Sequence, residues 1–86
     1  MSRKVQVCDD GWHIKKGEKF TWENKTAAIC NISPSPNSHW PFTSPSYHVP
    51  LGIPVHAGIE KELPDGAYQY VVDCCTGTMP KNVLVP

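Results

Sequence analysis

Four cysteines, Cys8, Cys30, Cys74 and Cys75, together with His39, His48 and His56, are the residues of this 86-residue chain most suited to chemistry. Thiolates are nucleophiles and soft metal donors, and thiols also pair oxidatively. Four cysteines allow three pairings, and their spacing does not choose among them. The adjacent Cys74 and Cys75 are constrained by strand geometry, because neighbours on a strand point to opposite faces. An inward Cys74 therefore leaves Cys75 outward, unless the strand has already ended. Cys75 is then open to pairing with Cys8, to binding a ligand from a loop, or to remaining free, whereas a ring between the two neighbours is strained. The three histidines match no metal signature by spacing, and each taken singly reads first as a loop residue exposed to solvent or capping backbone groups. There is no Ser-His-Asp set with a supporting motif, no glycine-rich phosphate loop and no paired carboxylates in an apolar setting, so the chain reads as a non-enzyme.

The elements that must position these residues are short strands. Nine Pro and six Gly oppose long helices, since Pro removes a backbone donor and Gly raises the entropy cost of order. Val5 and Val7 alternate with polar neighbours before the turn signal Asp10-Gly11. Phe20 and Trp22 share one face of a second strand, opposite Lys19, Thr21 and Glu23. Residues 27–32 form a third apolar run that ends at Ser33-Pro34. After the turn Pro64-Asp65-Gly66, Tyr68, Tyr70, Val72 and Cys74 fall on one face, the clearest period-two pattern in the chain. Val83 and Val85 mark a closing strand. At least five strands without a helix predict an all-β sandwich or barrel, a single domain over residues 1–86, with a core of Val5, Val7, Phe20, Trp22, Ile32, Tyr68, Tyr70, Val72, Val83 and Val85.

Residues 33–58 read as a long central connection rich in Pro, Ser and His, without periodicity. No Asp, Glu, Lys or Arg stands between Thr26 and Ile59, although eight Lys+Arg and eight Asp+Glu are spread over the rest. An uncharged stretch of that length predicts either a surface for a protein partner or a loop folded back over the core. Trp40, Phe42 and Tyr47 would be the aromatic contacts in the first case and a lid in the second. The zero net charge argues against nucleic acid and anionic membranes as partners, and no apolar run reaches the roughly 20 residues of a membrane span. Met1-Ser2-Arg3-Lys4 begins like a signal peptide, but Val5-Gln6-Val7-Cys8-Asp9-Asp10 replaces the apolar stretch one requires. The expectation is an intracellular chain, or a mature exported chain with a new initiator Met.

Two blocks carry a family likeness. The first is Gly17-x-x-x-x-Trp22-x-Asn24-x-Thr26-x-x-x-Cys30-Asn31-Ile32. The second is Asp65-Gly66-x-Tyr68-x-Tyr70-x-Val72-x-Cys74, followed by Met79-Pro80-x-x-Val83-x-Val85. Together they resemble the cupredoxins, the small blue-copper proteins related to plastocyanin and azurin, over most of the chain outside residues 33–58. The resemblance implies a Greek-key β-sandwich. It also implies that Cys30 stands where the family has its first His ligand, Cys74 where it has its copper thiolate and Met79 where it has the weak axial ligand, while the second His ligand is absent. A blue-copper centre needs two imidazoles and a thiolate.

Two functions follow from the resemblance. In the first, Cys30, Cys74 and Met79, helped by Cys75 and by an imidazole from His39, His48 or His56, bind a soft metal, above all copper, for copper handling or electron transfer. In the second, Cys30 and Cys74 close the old site as a disulfide. The domain is then metal-free and presents the 26–59 region to a protein partner. A third reading, redox sensing through Cys74 and Cys75, meets the adjacent Asp73, whose charge raises a thiol pKa.

Overall fold

The computed structural model describes residues 3–77 and 79–86. They form eight strands and, among the described residues, no helix: β1 (Arg3–Gln6), β2 (Trp12–His13), β3 (Lys19–Glu23), β4 (Cys30–Pro34), β5 (Tyr47–Val49), β6 (Val55–Gly58), β7 (Gly66–Val72) and β8 (Lys81–Val85). The strands make two mixed sheets, one of order β1-β3-β6 and one of order β2-β8-β7-β4-β5. Parallel pairings join β1 to β3 and β2 to β8, and the remaining pairs are antiparallel. The architecture is the all-β sandwich that the sequence implies.

The period-two pattern of β7 works as expected. Tyr68, Tyr70 and Val72 point into the sandwich and are buried, while Gln69 and Val71 are half-buried. All ten residues expected in the core are buried, and Ile14, Phe42, Tyr47, Val49, Ile59 and Leu63 join them. At the centre, Trp22 packs edge-on or tilted against Trp12, Phe20, Phe42, Tyr47 and Tyr70, at centroid distances of 4.9 to 6.1 Å. Such pairs contribute about 0.5 to 1.5 kcal/mol each beyond the area they bury. The Tyr70 hydroxyl accepts from Trp12 Nε1 (2.8 Å) and donates to the Asp9 carbonyl (2.9 Å), so burial satisfies its polar end. That burial pushes the phenol well above its ordinary pKa.

Two sequence expectations change here, and one choice left open is decided. The central connection is not structureless, because it contains β5, paired with β4, and β6, paired with β3. Both are four residues or shorter and flanked by Pro50 and Pro54, so no alternation had room to develop. The apolar run 27–32 becomes β4 only from Cys30 onward, and residues 27–29 lie in the loop before it. Phe42 and Tyr47 are 2% and 5% exposed, so they are the lid and not an aromatic contact patch; half-buried Trp40 packs on Phe42 at 4.8 Å. The reason is that Phe42 bridges to Ile59 and Tyr47 lies in β5, which turns both rings onto Trp22.

Candidate functional site

The cysteines meet at one end of the sandwich because of strand direction. Parallel β1 and β3 finish together, which places Cys8 and Asn24 at the same end. Antiparallel β4 and β7 bring the start of one beside the finish of the other, so Cys30 lies near Cys74. β7 ends at Val72, hence Cys74 and Cys75 sit in the following turn, and strand alternation does not send Cys75 away from the core. Both are half-buried against it.

In that position the thiols bond to each other. Cys30 pairs with Cys74 (Cα–Cα 5.0 Å), and Cys8 pairs with Cys75 (Cα–Cα 5.7 Å). The first bridge joins neighbouring strands of one sheet, while the second joins the end of β1 to the end of β7 and so spans the two sheets. The bridges lie close to one another: the Sγ atoms of Cys8, Cys74 and Cys75 are within 4.8 Å of each other. Cys30 is fully buried and the other three are half-buried. Among the described residues no cysteine is free.

The surrounding polar groups hold this end in shape. Asn24, buried, donates from Nδ2 to the carbonyls of Ala28 (2.8 Å) and Val49 (2.9 Å) and accepts at Oδ1 from Thr26 N and Oγ1. It thereby fixes the loop that delivers Cys30, with Thr26 Oγ1 3.6 Å from Cys30 Sγ. Asn31 donates to Asp73 from its backbone N (2.8 Å) and from Nδ2 (2.9 Å), which ties β4 to β7 beside the inner bridge. The backbone N–H and then the side-chain amide of Asn31 hold the Asp73 carboxyl below the usual carboxylate range. Asn24 and Asn31 stand in the sequence blocks quoted above, but their positioning role is visible only once the loops are placed.

The histidines lie elsewhere. His48 faces outward from β5, with Nδ1 2.9 Å from Asn31 Oδ1. His39 stands beside Tyr68, and His56 approaches Thr21 across β3 and β6. Both line a groove of about 990 Å³ at the free edge of β6, whose walls also include Trp40, Ile59, Lys61 and Leu63 and no cysteine. Met79 is 78% exposed. Among the described residues, the only group of His, Cys, Asp and Glu with the proximity of metal ligands is Cys8, Cys74 and Cys75. These residues do not fit a blue-copper ion: the cysteine sulfurs are bonded in disulfides, which leaves no thiolate, and no imidazole stands with them.

No family model and no curated protein matches the chain. Solved structures do. A proline-to-glycine variant of amicyanin, in its reduced Cu(I) form at pH 4, matches with a TM-score of 0.62 and 18% identity over 99% of this chain and 82% of its own. A reduced proline-to-phenylalanine variant of amicyanin matches with a TM-score of 0.64 and 17% identity, over the same shares. An oxidised methionine-to-lysine variant of amicyanin gives 0.59 and 16%, again over 99% and 82%. Two mixed sheets in this order and likeness over nearly the whole chain agree: the chain is a cupredoxin-like domain, with two disulfides at one end of the sandwich.

Proposed function

We propose that this domain is a metal-free, disulfide-closed relative of the copper-binding cupredoxins that acts by binding another protein. The observation that carries the reading is the pairing of Cys30 with Cys74, the two positions matching a copper ligand and the copper thiolate, with each other. A disulfide sulfur has lost the thiolate charge that a soft metal requires. The amicyanin structures are of a protein in Cu(I) and oxidised forms, and that property is not carried over to the oxidised form of this chain.

The partner surface of this reading is the rim beside the closed site. Ile29, Leu51 and Ile53 are exposed aliphatic residues, all within the uncharged 26–59 region. They belong to segments held together by Asn24, which bonds the carbonyls of both Ala28 and Val49. Ile53 also lines a cavity of about 230 Å³ with Glu23, Asn24, Lys25, Gly52 and Pro54. An apolar rim at a rigid strand end suits a partner with a complementary apolar patch.

Two measurements test the reading. Copper added to the oxidised protein is expected to produce no visible charge-transfer band and no bound metal after desalting; a blue or otherwise copper-loaded protein contradicts it. A photoreactive residue placed at Ile53 is expected to give a discrete adduct in cells. The same probe at Lys16, in the β2–β3 turn at the opposite end, is expected to give none, and equal labelling from both positions contradicts the assignment of the rim.

A further inference from the structure

The two disulfides lie close together, and that proximity has a chemical consequence. Opening the Cys8–Cys75 bridge leaves its sulfurs near Cys74 Sγ of the other, where exchange proceeds by attack on one sulfur and departure of its partner. Cys8 and Cys74 belong to different bridges, yet their Sγ atoms lie within 4.8 Å. Cys75 Sγ also lies within 4.8 Å of Cys74 Sγ but is adjacent to it in sequence, so its attack would close a strained ring. Cys75 Sγ also lies 3.8 Å from the Val7 carbonyl, an acceptor that favours the protonated thiol there after reduction. Cys8 is thus the attacking group of the outer pair.

The leaving group is also provided for. Cys30 is buried, with Thr26 Oγ1 at 3.6 Å and the Ala28 carbonyl at 3.7 Å from its sulfur. The hydroxyl can turn its single proton from Asn24 Oδ1 to the departing thiolate, and the carbonyl can accept from the thiol once it is protonated. Asn24 holds both groups in place through its bonds to Thr26 N and to the Ala28 carbonyl.

We propose that the four cysteines form a two-step thiol–disulfide relay, in which the half-exposed Cys8–Cys75 bridge exchanges electrons with an external dithiol and passes the opening inward to Cys30. In the first step the dithiol reduces Cys8–Cys75, becoming a disulfide and leaving two thiols on the protein. In the second step Cys8 loses its proton to solvent and attacks Cys74 Sγ. The Cys8–Cys74 bond forms, the Cys30–Cys74 bond breaks, and Cys30 leaves as a thiolate that takes a proton from solvent. No net electrons move in the second step, so the sequence consumes one dithiol and runs backward with an external disulfide. The relay rests on the two-disulfide closure proposed above, and it gives the chain an exchange activity beyond binding.

A single-cysteine variant tests the inner step directly. Cys75→Ser leaves Cys8 as a thiol facing the Cys30–Cys74 bridge. After acid quenching, alkylation and peptide mapping, label is expected at both Cys8 and Cys30, in comparable shares, reached at a rate independent of protein concentration. Label confined to Cys8 at all times overturns the relay. In Cys8→Ser the remaining thiol is Cys75, and label is expected there alone; release of Cys30 in this variant overturns the assignment of Cys8 as attacker. Should Cys75→Ser not fold, the native chain treated with limiting dithiol and quenched gives the same answer: a two-electron species containing Cys8–Cys74 supports the relay, and only the Cys30–Cys74 isomer opposes it. The intact mass of the untreated native chain separates this result from the underlying reading, since a chain without two disulfides fails there before any exchange is measured.

Discussion

The aromatic centre and the sulfur end are a few residues apart along β3 and β7, yet order is imposed on them differently. Around Trp22 it comes from packing, with rings from both sheets filling the space between them and Trp12 Nε1 donating to the Tyr70 hydroxyl. At the sulfur end it comes from covalent bonds and fixed amides, and three of the four cysteines remain half-exposed. The first kind of order does not depend on redox state, whereas the second does. A fold that keeps its packed centre can therefore change the chemistry of one end without losing its architecture.

The contrast is broken most severely from the centre. Trp22→Ala is expected to cost about 3 to 5 kcal/mol, because the fully buried ring leaves a cavity that neighbours on two sheets cannot fill. That is a large part of the stability of a small domain, and denaturant unfolding is expected to show a strongly lowered midpoint or no transition.

Removing one bridge comes next. The paired substitution Cys8→Ala with Cys75→Ala, or Cys30→Ala with Cys74→Ala, is expected to cost about 2 to 5 kcal/mol, mostly through the freed unfolded chain. The closed loops, with sequence separations of 67 and 44, differ little in that estimate, since the entropy varies only with the logarithm of length. The inner pair is expected to cost more, because its loss also empties a fully buried position at Cys30. Equal midpoints for the two variants in chemical denaturation would remove that distinction.

Asn24→Ala sharpens the comparison by loosening the sulfur end without touching sulfur. It leaves the Ala28 and Val49 carbonyls without their amide donor, a loss of about 1 to 3 kcal/mol. Faster amide exchange is expected for residues 24–30, with the β7–β8 ladder unaffected. Uniform acceleration over the whole chain would mean that Asn24 supports the fold at large.

The smallest effect concerns acid. The Asp73 carboxyl has a folded pKa below its ordinary value, so the stability it contributes is present above the unfolded carboxylate pKa of about 3.9 and is lost as pH falls through the lower folded value. Because Asp73 is exposed, the effect is slight. The β4–β7 junction is expected to loosen below about pH 4, and Asp73→Asn is expected to flatten that part of the profile. NMR shifts of Asn31 and Asp73 across an acid titration check both points.

How much of this was legible in the sequence varies with the length of each pattern. β7 spans seven residues, so the alternation of Tyr68, Tyr70 and Val72 identified both strand and core face. β5 and β6 are three and four residues long and sit among prolines, too short for a period to stand out; their identity as strands comes from their partners β4 and β3. The Cys30–Cys74 bridge was one of two readings that the family likeness allowed, beside a soft-metal site at the same sulfurs, since it joins two positions that the fold brings together. Cys8–Cys75 stayed one of several options because it depends on where β7 stops, and nothing in Val72-Asp73-Cys74 announces that end. The aromatic residues of the uncharged segment could be read as a surface patch or, more safely, as a lid, and the Phe42–Ile59 bridge and β5 turn Phe42 and Tyr47 inward as the lid requires.

The central claim, that the chain's sulfur is bonded to itself and not to metal, is tested most directly by intact mass of protein purified without reductant, before and after alkylation, with elemental analysis for copper and zinc. The account predicts a mass four hydrogens below that of the fully reduced chain, two for each bridge, no alkylation and no metal. Alkylatable cysteines accompanied by stoichiometric copper or zinc would contradict it and make this end of the sandwich a metal site.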